Sequence, residues 1–192
     1  MINLIIEIIA VISAILYLLL AAKEDVKCWY AVIISSALYF YIMYNAGLIM
    51  EAYLQVFYII MALYGLLQWT KLMKINSNNR IRTWSNIQHF ITISFVIILA
   101  IITGFILTKY TNAAMPFLDA FTSWGAIVTT YMVAKKILEN WIYWFVIDAI
   151  SIYLFLSRGL YLTSMLFLVY LTIICFGYIA WRTKYLETNE RH

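Results

Sequence analysis

The chain has 192 residues, of which 66% are hydrophobic and 11% are charged, and its net charge is +4 with a mean hydropathy of +0.90. This composition excludes an ordinary soluble globular domain, and segments that are apolar on every face, such as 91–107, exclude a barrel of alternating strands. The sequence therefore predicts an all-α membrane protein that crosses the bilayer several times.

Seven apolar segments approach or exceed the roughly 18 to 20 residues that cross a bilayer as a helix. The first has neither a basic segment before it nor a small-residue cleavage site after it, which predicts a retained helix rather than a signal peptide. In chain order the predicted spans are 4–22, 28–44, 51–69, 89–107, 116–134, 141–157 and 160–181.

The lysines and arginines lie mainly on one side of these spans. Of the 13, only Lys109 and Arg158 fall outside the loops after spans one, three and five and the C-terminal tail, which leaves eleven on that side. The positive-inside rule then predicts a protein with its N-terminus outside and its C-terminus in the cytoplasm. Because the membrane topology accounts for the excess of basic residues, the net positive charge is better explained by loops held on the cytoplasmic side than by nucleic-acid binding.

Tryptophans and glycines recur at a constant displacement of 112 positions, which indicates an internal duplication. Each repeat unit has three helices. Because three is an odd number, a second unit joined directly to the first would have the opposite orientation in the membrane, unless one additional helix lies between them. The fourth span has no counterpart and is predicted to be this inverter, giving a 3+1+3 arrangement of two parallel repeats, as in the SWEET transporters. The predicted units are 1–70, 71–110 (cytoplasmic linker and inverter helix) and 111–192. The matching pairs include Trp29 with Trp141, Gly47 with Gly159, Gly65 with Gly177 and Trp69 with Trp181.

Three residues of the sixth span form the main candidate site. Trp141, Trp144 and Asp148 share one stripe of a helix, and a carboxylate at mid-bilayer costs at least about 2.5 to 3.5 kcal/mol, so such a residue is a functional candidate. Indole faces attract cations, which predicts a site for a planar organic cation. The alternative is an aromatic belt at the interface, with Asp148 paired to a neighbouring helix.

The repeat symmetry is broken at these positions. Under the displacement, Trp144 corresponds to Val32 and Asp148 to Ser36, so the scaffold is duplicated while the proposed recognition residues are not. This predicts that the substrate lies where the two copies differ. Tyr58 either lines the same cavity or serves packing. Asp119 is either a site residue or a carboxylate favoured by the start of its helix.

Several kinds of chemistry have no counterpart in the sequence. The two cysteines and two histidines lack metal-ligand spacing, and no Gly-rich phosphate loop is present, which predicts no metal, no cofactor and no direct use of ATP. A membrane enzyme would cluster His, Asp or Ser near one interface, and a scaffold would not need a buried acid facing paired indoles. One buried carboxylate favours facilitated diffusion over proton coupling.

Three motifs resemble the PnuC family of vitamin transporters: Glu-Asn-Trp-Ile-Tyr-Trp at 139–144, Tyr-Gly-Leu-Leu-Gln-Trp at 64–69 and Gly-Tyr-Ile-Ala-Trp at 177–181. The resemblance implies a 3+1+3 fold in the inner membrane of a bacterium, often as a homotrimer. It also implies uptake of an unphosphorylated vitamin, which a cytoplasmic kinase then traps. It also implies a binding role for the tryptophans of the sixth helix. The substrate-binding residues predicted in all are Trp29, Tyr58, Gln68, Asp119, Asn140, Trp141, Trp144 and Asp148.

Asp148 bears on which vitamin is carried. Family members that carry nicotinamide riboside are expected to have an asparagine at this position. Thiamine combines a thiazolium cation with an aminopyrimidine that matches a carboxylate, so the exchange favours thiamine. The sequence thus predicts a PnuT-like thiamine importer, with nicotinamide riboside, also a cation, as the alternative and neutral riboflavin third.

Overall fold

The computed structural model describes residues 2–45, 49–74, 80–110, 115–157 and 161–190. Each predicted span coincides with one helix, and the fifth begins and ends as predicted. Gly47 and Gly159 lie outside the described residues. The helices are α1 (Ile2–Ala22), α2 (Cys28–Asn45), α3 (Ile49–Lys74), α4 (Asn86–Tyr110), α5 (Pro116–Ala134), α6 (Asn140–Ser157) and α7 (Tyr161–Asn189).

The helix packing follows the predicted duplication. In the first repeat α2 packs against α1 and α3, and in the second α6 packs against α5 and α7. Between repeats α1 packs against α7 and α3 against α5, two contacts that the displacement makes equivalent. The helix without a counterpart, α4, packs against α5. The all-α 3+1+3 fold is thereby confirmed, while the unit boundaries remain predictions.

Length and composition alone qualify α1, α3, α4 and α7 as membrane-spanning, while α2 and α6 contain shorter apolar segments. In α5 the apolar residues alternate with Asp119 and several threonines. Helix α5 packs against α3, α4 and α6, and its Thr129 and Thr130 are buried there, where neighbouring helices replace lipid. We call the end that carries the turns after α1, α3 and α5 the basic end, since most lysines and arginines lie there.

Four buried tryptophans form the core at the basic end. Trp29 meets Trp69 edge to face, with ring centroids 5.4 Å apart, and Trp141 meets Trp181 in the same way at 5.5 Å. Trp69 and Trp181 are adjacent at 6.2 Å, which joins the two pairs across the repeat interface. Such aromatic pairs contribute about 0.5 to 1.5 kcal/mol beyond their buried area.

The indole N–H groups of α3 and α7, the third helix of each repeat, form hydrogen bonds across this interface. Trp69 donates to the carbonyl of Val133 over 3.3 Å, and Trp181 donates to the carbonyl of Ala21 over 3.0 Å. Ala21 and Val133 are themselves separated by the repeat displacement. Each repeat therefore inserts a tryptophan into the other in the same way, as expected of two parallel copies related by a pseudo-twofold axis.

A buried ion pair lies on the same axis. Glu24 and Lys136 occupy equivalent turns 112 residues apart, both with a φ of 55°, and their side chains meet at 2.6 Å. Lys184 reaches the other oxygen of Glu24 at 2.7 Å, and the Lys136 ammonium lies 4.7 Å from the Trp69 ring centroid. Burial lowers the pKa of Lys136, and the Glu24 carboxylate opposes that shift. The pair joins the two repeats at the basic end.

The described part of the linker before α4 packs on the second repeat, which its polar composition does not predict. Ile81 is buried, and Arg82 forms a parallel β-bridge to the turn between α5 and α6, its N–H donating to the Lys136 carbonyl at 2.9 Å. At the start of α4 the N–H of Ser85 donates to Oε1 of Gln88 at 2.9 Å, which caps the helix. The linker thus fixes the start of the inverter helix to the second repeat.

Candidate substrate site

A cavity of about 220 Å³ lies between the two repeats. All six repeat helices contribute to its wall, and none of its described lining residues comes from α4. Those residues are Ala14, Tyr17, Leu18, Trp29, Val32, Ser35, Ser36, Tyr39, Gln55, Tyr58, Thr130, Trp144, Asp148, Phe167 and Tyr170.

Equivalent positions of the two repeats face each other across this cavity. Tyr58 and Tyr170 keep the same residue type in both copies. The other matched positions differ in residue type. At these positions the wall from the first repeat has only uncharged side chains, whereas the wall from the second repeat has the Asp148 carboxylate and the Trp144 indole. The unlike pairs are Leu18 with Thr130, Val32 with Trp144, Ser36 with Asp148 and Gln55 with Phe167.

Asp148 is the charged group of the cavity and is only 5% exposed. Its position near the middle of α6 follows from the stripe that it shares with Trp144, one helical turn earlier. Among the described residues it accepts no hydrogen bond and forms no ion pair. A buried carboxylate without a cationic partner is costly, so a bound cation would supply the charge that its surroundings lack.

Two indole N–H groups on the cavity wall are also unpaired within the described structure. They belong to Trp29 and Trp144, one from each repeat. Buried indole N–H groups usually have an acceptor, so these donors suit the oxygen atoms of a ligand. Ser35, by contrast, already donates to the Ala10 carbonyl at 2.9 Å. The wall therefore offers two unpaired indole donors and one anionic acceptor among aromatic rings.

No lysine, arginine or histidine is among the residues that line this cavity in the described structure. A phosphate group in it would bring one or two negative charges close to Asp148 without a compensating cation. Because an unpaired buried charge costs several kcal/mol, the cavity favours ligands without phosphate.

Four of the predicted site residues line the cavity: Trp29, Tyr58, Trp144 and Asp148. The other four lie elsewhere, and a binding role for them stays a prediction. Trp141 is buried against Trp181 and covers Gly177, so it neither lines the cavity nor forms an interfacial belt. The Asn140 amide donates to the Ile137 carbonyl at 2.6 Å at the start of α6. Gln68 lies near the end of α3, and Asp119 lies in the first turn of α5.

The cavity also contains residues that the sequence reasoning did not single out. Tyr17, Tyr39 and Phe167 belong to apolar helix faces and carry no local sign of a site. Phe167 could have been found from the duplication, since it is the counterpart of Gln55. Applied to Tyr58, Trp144 and Asp148, the displacement leads to Tyr170, Val32 and Ser36, which also line the cavity.

A family model described as nicotinamide mononucleotide transporter matches residues 4–183. The chain belongs to the PnuC family. Its relatives include the nicotinamide riboside transporters PnuC of Escherichia coli (strain K12) and Shigella flexneri, each 23% identical over 97% of this chain and 88% of the relative. The crystal structure of the vitamin B3 transporter PnuC is similar in fold, with a TM-score of 0.75 and 21% identity over 95% of this chain and 82% of that one.

Membership decides among the classes of protein that the sequence left open. As a PnuC-family member the chain is a multi-pass membrane transporter for a vitamin, and it is not an enzyme. The predicted family is confirmed. Thiamine, the substrate that the sequence favoured, has no support from the relatives, whose names agree with the alternative, nicotinamide riboside.

Proposed function

We propose that this PnuC-family protein imports nicotinamide riboside through the cavity between its two repeats. Asp148, an unpaired carboxylate on the wall of a cavity that all six repeat helices form, is the observation that carries a cationic vitamin as the substrate. Nicotinamide riboside has a positively charged pyridinium ring, so the ligand and the wall are complementary in charge. The names of the curated relatives point to the same vitamin.

The aromatic lining supports a flat cationic ring as the bound group. Trp29, Trp144 and the tyrosine pair Tyr58 and Tyr170 surround the cavity, and a desolvated cation over an indole face gains about 2 kcal/mol. The carboxamide and ribose hydroxyls of the ligand would find donors and acceptors in the indole N–H groups and Gln55. The cavity volume of about 220 Å³ lies below the range of most pockets for drug-sized ligands. It therefore suits one small molecule and disfavours riboflavin.

The lining also supports an unphosphorylated substrate. The described wall combines a carboxylate with no cationic side chain, so nicotinamide mononucleotide, although it gives the matching family model its description, would place a phosphate against an uncompensated negative field. We infer that the riboside enters and is phosphorylated afterwards by a cytoplasmic kinase, which prevents its return.

Thiamine is the second candidate, and Asp148 is the observation that favours it. The amino group of its pyrimidine and the adjacent ring nitrogen, when protonated, can both donate to the two oxygens of a carboxylate, and its thiazolium is a cation. Nicotinamide riboside uses the charge of Asp148 but not this paired geometry. The two substrates therefore differ in how strongly they should depend on the carboxylate rather than on an amide of the same shape.

Calorimetric titration of the purified protein with both vitamins separates the two candidates. We expect nicotinamide riboside to bind more tightly than thiamine, and nicotinamide mononucleotide not to bind measurably. Tighter binding of thiamine would establish the second candidate instead, and the absence of binding by either would refute the assignment. For variants of Asp148 such as Asp148→Asn, Ser151→Ala is the matched control, because Ser151 is buried on the same helix but lies outside the cavity wall.

We further propose that import occurs by facilitated diffusion as the two repeats open alternately at either end. The Glu24–Lys136 ion pair and the tryptophan contacts would have to separate when the basic end opens. The proposed orientation places that end in the cytoplasm of a bacterium, with the protein in the inner membrane. Assembly as a homotrimer also belongs to this proposal. Uptake that persists after the proton gradient is collapsed would support diffusion, and loss of accumulation would indicate coupling.

A further inference from the structure

A cleft on the outer surface of the bundle, separate from the central cavity, has the features of a phospholipid site. It lies where α3 and α4 both pack on α5 but make no contact with each other in the described structure. Helix α5 therefore forms the floor of a groove, with α3 and α4 as its two walls. The first repeat has no inverter helix beside α1, so this groove has no symmetry equivalent.

The end of the groove nearest the basic end is polar and positively charged. This part measures about 600 Å³, and Arg82 and Lys135 both line it, together with Thr83 and Gln88. Arg82 is held there by its backbone bridge to the turn after α5. Lys135 lies over the rings of Tyr64 and Tyr131, with its ammonium 5.3 Å and 5.8 Å from their centroids. Neither cation has a carboxylate partner among the described residues.

The groove continues toward the membrane interior as an apolar channel. This second part, of about 410 Å³, shares Trp84, Ile91, Thr92 and Tyr131 with the first, so the two form one continuous cleft. Its remaining lining is hydrophobic: Phe57, Met61, Phe95, Ile127 and Val128. Together the two parts follow α4 from Gln88 to Phe95. Seven helical steps rise about 10 Å, about a third of the roughly 30 Å thickness of the hydrocarbon core.

We propose that this cleft binds an anionic phospholipid, with its phosphate between Arg82 and Lys135 and an acyl chain in the apolar channel. The positive end meets a headgroup of opposite charge, and the apolar channel leads from it toward the interior of the same membrane leaflet. Trp84 and Tyr131 stand where the two parts join, at the level at which amphipathic aromatic rings meet lipid headgroups. The lipid would fill the space between α3 and α4 and so join the inverter helix to the first repeat.

Trp84 provides a direct test, because it lines both parts of the cleft. The full chain is reconstituted in phosphatidylcholine vesicles that contain a small fraction of phosphatidylglycerol, and either lipid carries bromine on its acyl chains. Bromine quenches tryptophan fluorescence on contact. We expect brominated phosphatidylglycerol to quench more than brominated phosphatidylcholine at equal mole fraction, and Trp84→Phe to remove that difference. The difference should also shrink as salt rises, because its source is electrostatic.

Two charge-matched variants then test the headgroup contact. Arg82→Gln with Lys135→Gln should lower the preference for phosphatidylglycerol by roughly fivefold for each cation removed. The control, Lys71→Gln with Arg182→Gln, removes two exposed cations outside the cleft and should leave the preference unchanged. Equal quenching by both brominated lipids in the unchanged protein would overturn the proposal. A third outcome would also overturn it: neither brominated lipid quenches the fluorescence, and Phe95→Trp dissociates an oligomer of the protein. The cleft would then be an interface with a second copy of the chain.

Discussion

Two equivalent glycines allow the role of the cavity to be separated from the stability of the bundle. A methyl group at Gly65 would lie less than 3.0 Å from three indole atoms of Trp29, and one at Gly177 would make the same overlap with Trp141. Trp29 lines the central cavity, whereas Trp141 does not. Alanine at either position therefore applies the same local perturbation, but only one of the two displaced rings borders the proposed substrate.

The expected magnitudes make affinity the informative quantity. Overpacking a core costs about 1 to 3 kcal/mol, while alanine in place of glycine inside a helix recovers about 1 kcal/mol, so each variant should lose only about 0 to 2 kcal/mol of stability. Trp29 can relieve its overlap by moving into the cavity that it lines. A displacement that forfeits about 1.4 kcal/mol of binding lowers affinity tenfold, and we expect at least this loss for Gly65→Ala and less than threefold for Gly177→Ala.

The assay combines thermal unfolding of both variants in detergent with calorimetric titration of nicotinamide riboside, or of thiamine if that vitamin binds more tightly. Similar melting temperatures with a selective loss of affinity in Gly65→Ala would support the cavity as the substrate site. Equal losses of affinity in the two variants would mean that Trp141 is as close to the substrate as Trp29. That result, or no loss in either variant, would refute the assignment of the cavity.

Three further predictions use the same measurements. Asp148→Asn should weaken thiamine binding by about 1.5 to 3 kcal/mol, the contribution of a charged hydrogen bond, and nicotinamide riboside by less; unchanged affinity for both would remove Asp148 from the site. Trp144→Ala should cost about 1 to 3 kcal/mol of affinity through lost ring contacts, whereas Trp141→Ala should mainly lower the melting temperature, and the reverse pattern would contradict the geometry. Glu24→Gln should destabilise the fold by about 3 to 5 kcal/mol in unfolding experiments because it leaves Lys136 buried and unpaired. Lys136→Gln should cost less, since Glu24 keeps its contact with Lys184; equal losses would argue against this account.

The fold was largely predictable because its signals are periodic and local. Apolar segments of sufficient length located all seven helices, and the displacement between Trp29 and Trp141 predicted the two repeats and the inverter. A linker such as 80–85 was not predictable in the same way, because its docking depends on backbone hydrogen bonds of Arg82 to a turn far along the chain. Residue type carries little information about such contacts.

The candidate site was only half predictable, for a reason that Trp141 and Trp144 illustrate. Both lie on one face of α6, but Trp141 covers Gly177 and Trp144 borders the cavity. The spacing of residues along a helix shows which face each side chain lies on. It does not show what that side chain contacts at its height along the helix, so it cannot distinguish an indole that packs in the core from one that borders a cavity. Trp29, the counterpart of Trp141 in the first repeat, lines the cavity although Trp141 does not, because the two walls are not identical.

Uptake of labelled nicotinamide riboside by proteoliposomes that contain only this protein tests the central claim most directly. We predict saturable uptake that equilibrates without a proton gradient, continues to accumulate when a riboside kinase and ATP are enclosed, and falls at least fivefold in Gly65→Ala at subsaturating substrate. Uptake no greater than in empty liposomes, with thiamine entering under the same conditions, would contradict the claim.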